Sequence, residues 1–201
     1  MTTRILIIGL TFFTLLSGSQ CERANSEDRI VWDSDRKLTW KDFKGKPDKN
    51  DTIYVARTFT QIYFEYEEKD HSIEFDIPCY FYRNLSWSKS KSKKQTSQWL
   101  LEHEQLHFDI TELMARKVRK EFSEYKSRDL GTTYAELKAI YNKYDNDERL
   151  RINTAYDEET EHGTIRDKQK EWEKKIEKEL FKLRKYADTK VKVRRITLIN
   201  N

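Results

Sequence analysis

His103, Glu104 and His107 form an H-E-x-x-H run, set within Glu102-His-Glu-Gln-Leu-His-Phe-Asp109. On an α-helix, residues four apart differ by about 40° around the axis, so both imidazoles leave from one face. Two neutral imidazoles one turn apart can both reach a tetrahedral Zn2+. Glu104 lies about 100° from His103 and about 60° from His107. It flanks a metal at that place without competing for it, where the general base for a zinc-activated water would sit. Such a set hydrolyses amide bonds.

The motif carries this chemistry only on a helix. Trp99, Leu100, Leu106, Ile110, Leu113, Met114, Val118 and Phe122 recur at three- and four-residue spacings, with no Pro or Gly from Ser86 to Leu130. The periodicity predicts a helix that runs to about Ser127, with the histidines on the edge of its apolar stripe. A hydrolytic site needs a third protein ligand and one open position. The chain has 4 histidines, and the two outside the motif are His71, in a polar turn, and His162. Glu112 falls about 180° from His103 and cannot close the site; an i,i+4 pair with Arg116 is its expected role. Asp109, about 120° off, reads as a packing residue. The better source of a ligand is Tyr156-Asp-Glu-Glu-Thr-Glu-His162-Gly163, on a separate segment. His162 is the candidate third ligand, and Glu158, one turn earlier on the same face, is the alternative. His162 reads equally well as a surface histidine at a helix end. Tyr156 and Asp157 are placed to orient a ligand or, for Tyr156, to donate to a substrate oxygen.

The elements that must position these residues follow from the rest of the chain. Residues 1–20 read as a signal peptide: Arg4, an apolar run from Ile5 to Leu16, then Ser17-Gly18-Ser19. That run is too short for an ordinary membrane span. The expected product is exported, to periplasm, envelope or medium. Cys21 then has two fates, lipid modification with membrane attachment or a disulfide with Cys79, and the first excludes the second. Residues 21–201 suffice for one domain. The net charge of +4 comes from 39 basic and 35 acidic residues, too balanced to point to nucleic acid. Lys89 to Lys94, interleaved with serines, reads as a solvated loop with only Trp87 at its edge for stacking.

Arg29–Trp32 and Lys37–Trp40 read as short strands or a turn pair, and Gly45 and Pro47 break the loop after them. Ile53 to Tyr66 reads as one strand with Thr58, Thr60, Ile62, Phe64 and Tyr66 on one face. Ile73–Ile77 returns as its hairpin partner and extends into Cys79–Tyr82. After Gly131, helices are expected at Tyr134–Tyr144 and Leu150–Glu161, separated by a charged link at Asp145–Arg149. Gly163 is the expected C-cap and Thr164 the N-cap of a last amphipathic helix with Ile165, Trp172, Ile176, Leu180 and Leu183 as its stripe. Val191–Ile199 is a final strand or a tail. The fold expected is α+β, a small antiparallel sheet packed on a zincin-like active-site helix with further C-terminal helices.

Several of these segments together resemble a family of secreted bacterial proteins catalogued as a domain of unknown function and described as zinc-dependent peptidases. Leu38-Thr-Trp40 with Asp42-Phe-Lys-Gly45 is similar to its N-terminal tryptophan element, and Ser86-Trp87 to the segment before its helix. Leu100 to Leu113, continuing to Ala115-Arg116, resembles its H-E-Q-x-H-F-D signature, and Tyr156-Asp157, Thr160 and His162-Gly163 its downstream element. Glu102 stands where the family has a small residue. The resemblance implies a zincin-like metallopeptidase and brings no established substrate; the expected partner is a peptide or protein substrate, and no nucleic acid is expected. On this reading His103, His107 and His162 hold Zn2+ and Glu104 and Tyr156 act on the substrate. The rival readings are an envelope protein that keeps the scaffold without catalysis and a binder of anionic polymers.

Overall fold

The computed structural model describes residues 4–5, 28–47, 54–69, 71–89, 95–127 and 129–194. The expectations of a leader over 1–20 and of Cys21 chemistry fall outside these residues, apart from Arg4–Ile5. The fold is α+β.

Its spine is α1, Gln95–Glu124. At 1.5 Å per residue this 30-residue helix is about 45 Å long. The absence of Pro and Gly lets it run this far, and its stripe of Leu106, Ile110, Leu113, Met114, Val118 and Phe122 is buried. Among the described residues nine short strands, all paired antiparallel, form three sheets. The largest has the order β1-β5-β6-β9, from Arg4–Ile5, Glu65–Lys69, Ser72–Asp76 and Lys190–Arg194. The second is β2-β7-β4, from Arg29–Val31, Cys79–Tyr82 and Thr60–Ile62. The third pairs β3, Ala56–Arg57, with β8, Trp87–Ser88.

The described part of the run expected as one strand, residues 54–66, therefore carries three strands. Each piece has a different partner, β8, β7 and β6 in turn, so the chain bends twice to serve three sheets. The face that carries Thr60 and Ile62 packs inward: both are buried, and Thr60 Oγ1 meets Thr111 Oγ1 of α1 at 2.7 Å. Lys37–Trp40 forms no strand; Leu38 N instead donates to Gln105 Oε1 of α1 at 2.7 Å. Trp32 Nε1 donates to Asp109 Oδ1 at 2.7 Å, which gives Asp109 its packing role. Gly45 is required by close approach, because a Cβ there would lie 2.8 Å from the carbonyl oxygens of Asn84 and Ser86.

Arg119, fully buried, pins the far half of α1. Its guanidinium donates to both Glu112 oxygens, to Ile77 O and to Tyr186 O. Glu112 also accepts from Arg116 Nε at 2.9 Å, the expected i,i+4 pair. Cys79 is buried in the core, and burial pushes its thiol up.

The C-terminal half wraps α1 with α2, Leu130–Asn142, α3, Arg149–Thr160, and α4, Arg166–Lys182. Gly131 does not break the chain: Asp129 caps α2 by accepting from Thr132 N at 2.9 Å. The charged stretch expected as a link is a π-helical turn, Lys143–Glu148, that joins α2 to α3 without a loop. Buried Asp145 holds it together, accepting from Arg149 Nε and Tyr141 OH, each at 2.9 Å. The last helix starts one residue later than expected, with Ile165 as its uncapped N-terminus; Thr164 Oγ1 is turned back to Glu161 O at 2.9 Å.

Candidate metal centre

His103 and His107 both leave the side of α1 that faces α3, where Asn153 and Asp157 also lie one turn apart. His107 Nδ1 is 2.7 Å from Asn153 Oδ1. Asp157 Oδ1 lies 3.1 Å from His103 Nε2 and 3.0 Å from His107 Nε2, and the two Nε2 atoms are 3.2 Å apart. Three ligand atoms thus form a nearly equilateral triangle. Tetrahedral zinc with bonds of about 2.0–2.1 Å sets its ligands about 3.3 Å apart.

The protonation of both imidazoles is set from behind. Gln169, fully buried on α4, donates from Nε2 to Glu173 Oε1 at 2.9 Å. A carboxylate only accepts, so the other amide atom is the oxygen, and it receives Tyr156 OH at 2.6 Å and His103 Nδ1 at 3.2 Å. Asn153 Nδ2 donates to Arg149 O at 2.9 Å, which likewise turns its oxygen to His107 Nδ1. Each imidazole therefore carries its proton on Nδ1 and presents a bare Nε2. Two nitrogen lone pairs and a carboxylate oxygen then converge with no donor between them. Such a cluster is unfavourable unless it captures a cation. In the absence of a metal a proton fills that role. Burial pulls the His107 imidazole down, but the hydrogen bond and charge of Asp157 and the charge of Glu104 bring it up to about 9. Burial raises the Asp157 carboxyl, yet its bonds to His103 and His107 hold it well below the usual carboxylate range.

Glu104 is buried beside this triangle, and among the described residues its Oε2 has no hydrogen-bond partner. Thr58 Oγ1 reaches the Glu104 carbonyl at 3.4 Å, bringing the strand side close to the same turn. Glu102 pairs with Arg166 at 2.8 Å.

The structure revises two expected roles. The oxygen in the closest position to both imidazoles belongs to Asp157, expected only to orient a ligand. His162 Nδ1 stands farther out, 3.8 Å from Asp157 Oδ1, although one ligand atom each from His103, Asp157 and His162 lie within 4.8 Å of one another. The reason is helix phase: α3 ends at Thr160, and Glu161 turns left-handed with φ 45°. Glu158 is exposed and His71 sits exposed in the β5–β6 turn. Tyr156 is the expected donor to a substrate oxygen. It is fully buried, its ring stacks on His103 at 4.5 Å between centroids, and its hydroxyl is committed to Gln169. It positions His103. Gly163, expected as a helix cap, is instead required by contact. Its φ is +83°, and a Cβ would stand 2.9 Å from His103 Cβ.

Asn153 and Gln169 were not singled out from sequence. Gln169 left a signal, since it interrupts the Ile165, Trp172, Ile176 stripe at the position where an apolar residue belongs. Asn153 left less, standing one turn before Asp157 among polar neighbours.

No family model, no curated protein and no solved structure matches the chain.

Proposed function

We propose that the protein is a zinc-dependent metallopeptidase. The observation that carries this reading is the convergence of His103 Nε2, His107 Nε2 and Asp157 Oδ1, with both imidazole tautomers fixed so that all three are acceptors. These three residues would hold the ion, and the nitrogen-rich donor set suits zinc better than magnesium or calcium. Zinc bound there supplies a Lewis acid that polarises a scissile carbonyl and makes a water nucleophilic near neutral pH. Glu104 lies in the low-dielectric wall of the site with one oxygen unpartnered, placed to take the proton of the attacking water and return it to the leaving amine. Tyr156, Gln169 and Asn153 keep the imidazoles in place and in the correct tautomer. The resemblance to secreted zinc-dependent peptidases supports this reaction class, although it implies His162 where the geometry favours Asp157, and it suggests an exported setting.

A second reading, a structural zinc in a non-catalytic envelope protein, draws on His162, a fourth donor at the rim. Structural zinc sites have four protein ligands, and catalytic ones keep a position open.

Protein purified without chelator should carry about one zinc per chain by elemental analysis, and it should hydrolyse a broad-specificity peptide library in a zinc-dependent manner. Absence of zinc, with no uptake on titration, overturns the proposal. Stoichiometric zinc without hydrolysis of any peptide moves the conclusion to the structural reading.

A further inference from the structure

The third histidine of the cluster is built differently from the other two. His103 and His107 have side chains 2% and 16% exposed, whereas that of His162 is 46% exposed. Amide oxygens hold the Nδ1 atoms of the first two. His162 directs its own Nδ1 at Asp157 Oδ1, 3.8 Å away. Among the described residues no hydrogen-bond partner holds its Nε2. Its ring instead leans edge-on against Tyr54, with centroids 5.3 Å apart.

The backbone beneath this ring is fixed. Glu161, His162 and Gly163 are consecutive left-handed residues with φ 45°, 53° and 83°. A non-glycine residue in that region is strained, and it persists only where the surroundings enforce it. Here they do: His162 N donates to Asp157 O at 2.9 Å, Gly163 N donates to Thr160 Oγ1 at 3.1 Å, and Gly163 lies against the His103 ring. The turn therefore anchors the His162 backbone beside the triangle and leaves the imidazole half exposed, between Asp157 and Tyr54. A permanent ligand would be buried and held from behind, as His103 and His107 are.

We propose that His162 is an exchangeable fourth ligand, which closes the metal centre through Nδ1 in the resting protein and yields that position to an incoming substrate oxygen. This rests on the metallopeptidase reading above and reconciles its two forms: the site is closed at rest and open in use. The exchange breaks one metal–nitrogen bond and forms one metal–oxygen bond, with no change of oxidation state. The released imidazole is left against Tyr54, at the rim of the site.

The test uses the full chain reconstituted with Co2+, whose visible absorption reports coordination, and azide as a probe of an open position. The variant is His162→Asn, since Asn tolerates the left-handed turn, and circular dichroism checks its fold. The variant should retain cobalt, its absorption bands should shift from those of the wild type, and azide should bind it at least tenfold more tightly because nothing has to be displaced. Identical spectra and azide affinities in the two proteins overturn the proposal. Complete loss of cobalt from a folded variant also overturns it, by making His162 a permanent ligand. Failure of the wild type to take up cobalt is a different result, since it removes the metal reading itself.

Discussion

Replacing Gln169 by Leu tests the logic of the site without touching any atom assigned to the ion. Gln169 Oε1 is the acceptor that keeps the His103 proton on Nδ1. Without it the other tautomer becomes available, and that tautomer places N–H on Nε2, aimed at Asp157 Oδ1 only 3.1 Å away. The new hydrogen bond satisfies the two partners and competes directly with a metal. Removing groups that orient histidine ligands typically lowers metal affinity 10–100-fold, or about 1.4–2.7 kcal/mol. The metal-free protein should lose about 1–3 kcal/mol as well, because the buried Tyr156 hydroxyl loses its acceptor, Gln169 Oε1 at 2.6 Å, and keeps only the longer contact to His103 O at 3.3 Å. Zinc affinity is read by competition with a chromophoric chelator, and stability by urea unfolding of the stripped protein. A Leu variant that unfolds normally and binds zinc within about twofold of wild type would refute the tautomer argument and with it the main support for the metal. Glu173→Gln is the companion. It removes the carboxylate that orients the Gln169 amide but leaves Tyr156 OH to do so, and its effect on zinc should be the smaller of the two.

Three further outcomes follow from the geometry. Glu104→Gln, isosteric at a buried position whose Oε2 is unpartnered, should hold zinc about as wild type while peptide turnover falls roughly 10²–10⁴-fold; wild-type turnover in a zinc-loaded variant would remove Glu104 as the base. Gly163→Ala forces a side chain into φ +83° and to 2.9 Å from His103 Cβ, so thermal stability should drop by at least about 1–2 kcal/mol and zinc affinity with it; an unchanged melting temperature would count against the packing. In metal-free protein the folded His107 pKa is raised from 6.5 to about 9, so its stabilisation is fully present below pH 6.5 and disappears as pH rises through 9. One proton shared with Asp157 is worth roughly 3 kcal/mol over that window, and urea unfolding at pH 6.5 and 9.5 should show the loss, which saturating zinc should abolish because metal replaces the proton.

The sequence made the spine of the fold legible because α1 is specified locally. Its apolar spacing and its lack of Pro and Gly need no partner to be read, and H-E-x-x-H then acquires a face. The strands are specified by what they pair with. Ile53 to Tyr66 has the alternation of one long strand, and only the positions of β6, β7 and β8 reveal that it must bend at Thr58–Phe59 and again at Tyr63–Phe64. The π turn was likewise hidden. Lys143–Glu148 is mostly polar and resembles a linker, yet Asp145 is buried and paired with Arg149 and Tyr141. A buried carboxylate with its cation four residues on is compatible with a solvated pair or a packed one, and sequence alone does not separate them.

The third ligand shows the same limit at the level of the site. An imidazole is the better zinc donor, which favoured His162, but availability is decided by helix register rather than by donor quality. His103 and His107 stand one turn apart on α1, and Asn153 and Asp157 stand one turn apart on α3. The helices meet so that Asn153 serves His107 while Asp157 reaches both imidazoles. Two matched turns, each rising about 6 Å over four residues, fix all four side chains at once. His162 lies beyond the last turn of α3, where the backbone has reversed hand, and no regular spacing can bring it into that register. The phase of α3 is set by the π turn before it, since a helix widened by one residue rotates everything downstream by about 100°. The segment that looked least informative in the sequence is therefore the one that chooses which acidic residue faces the histidines.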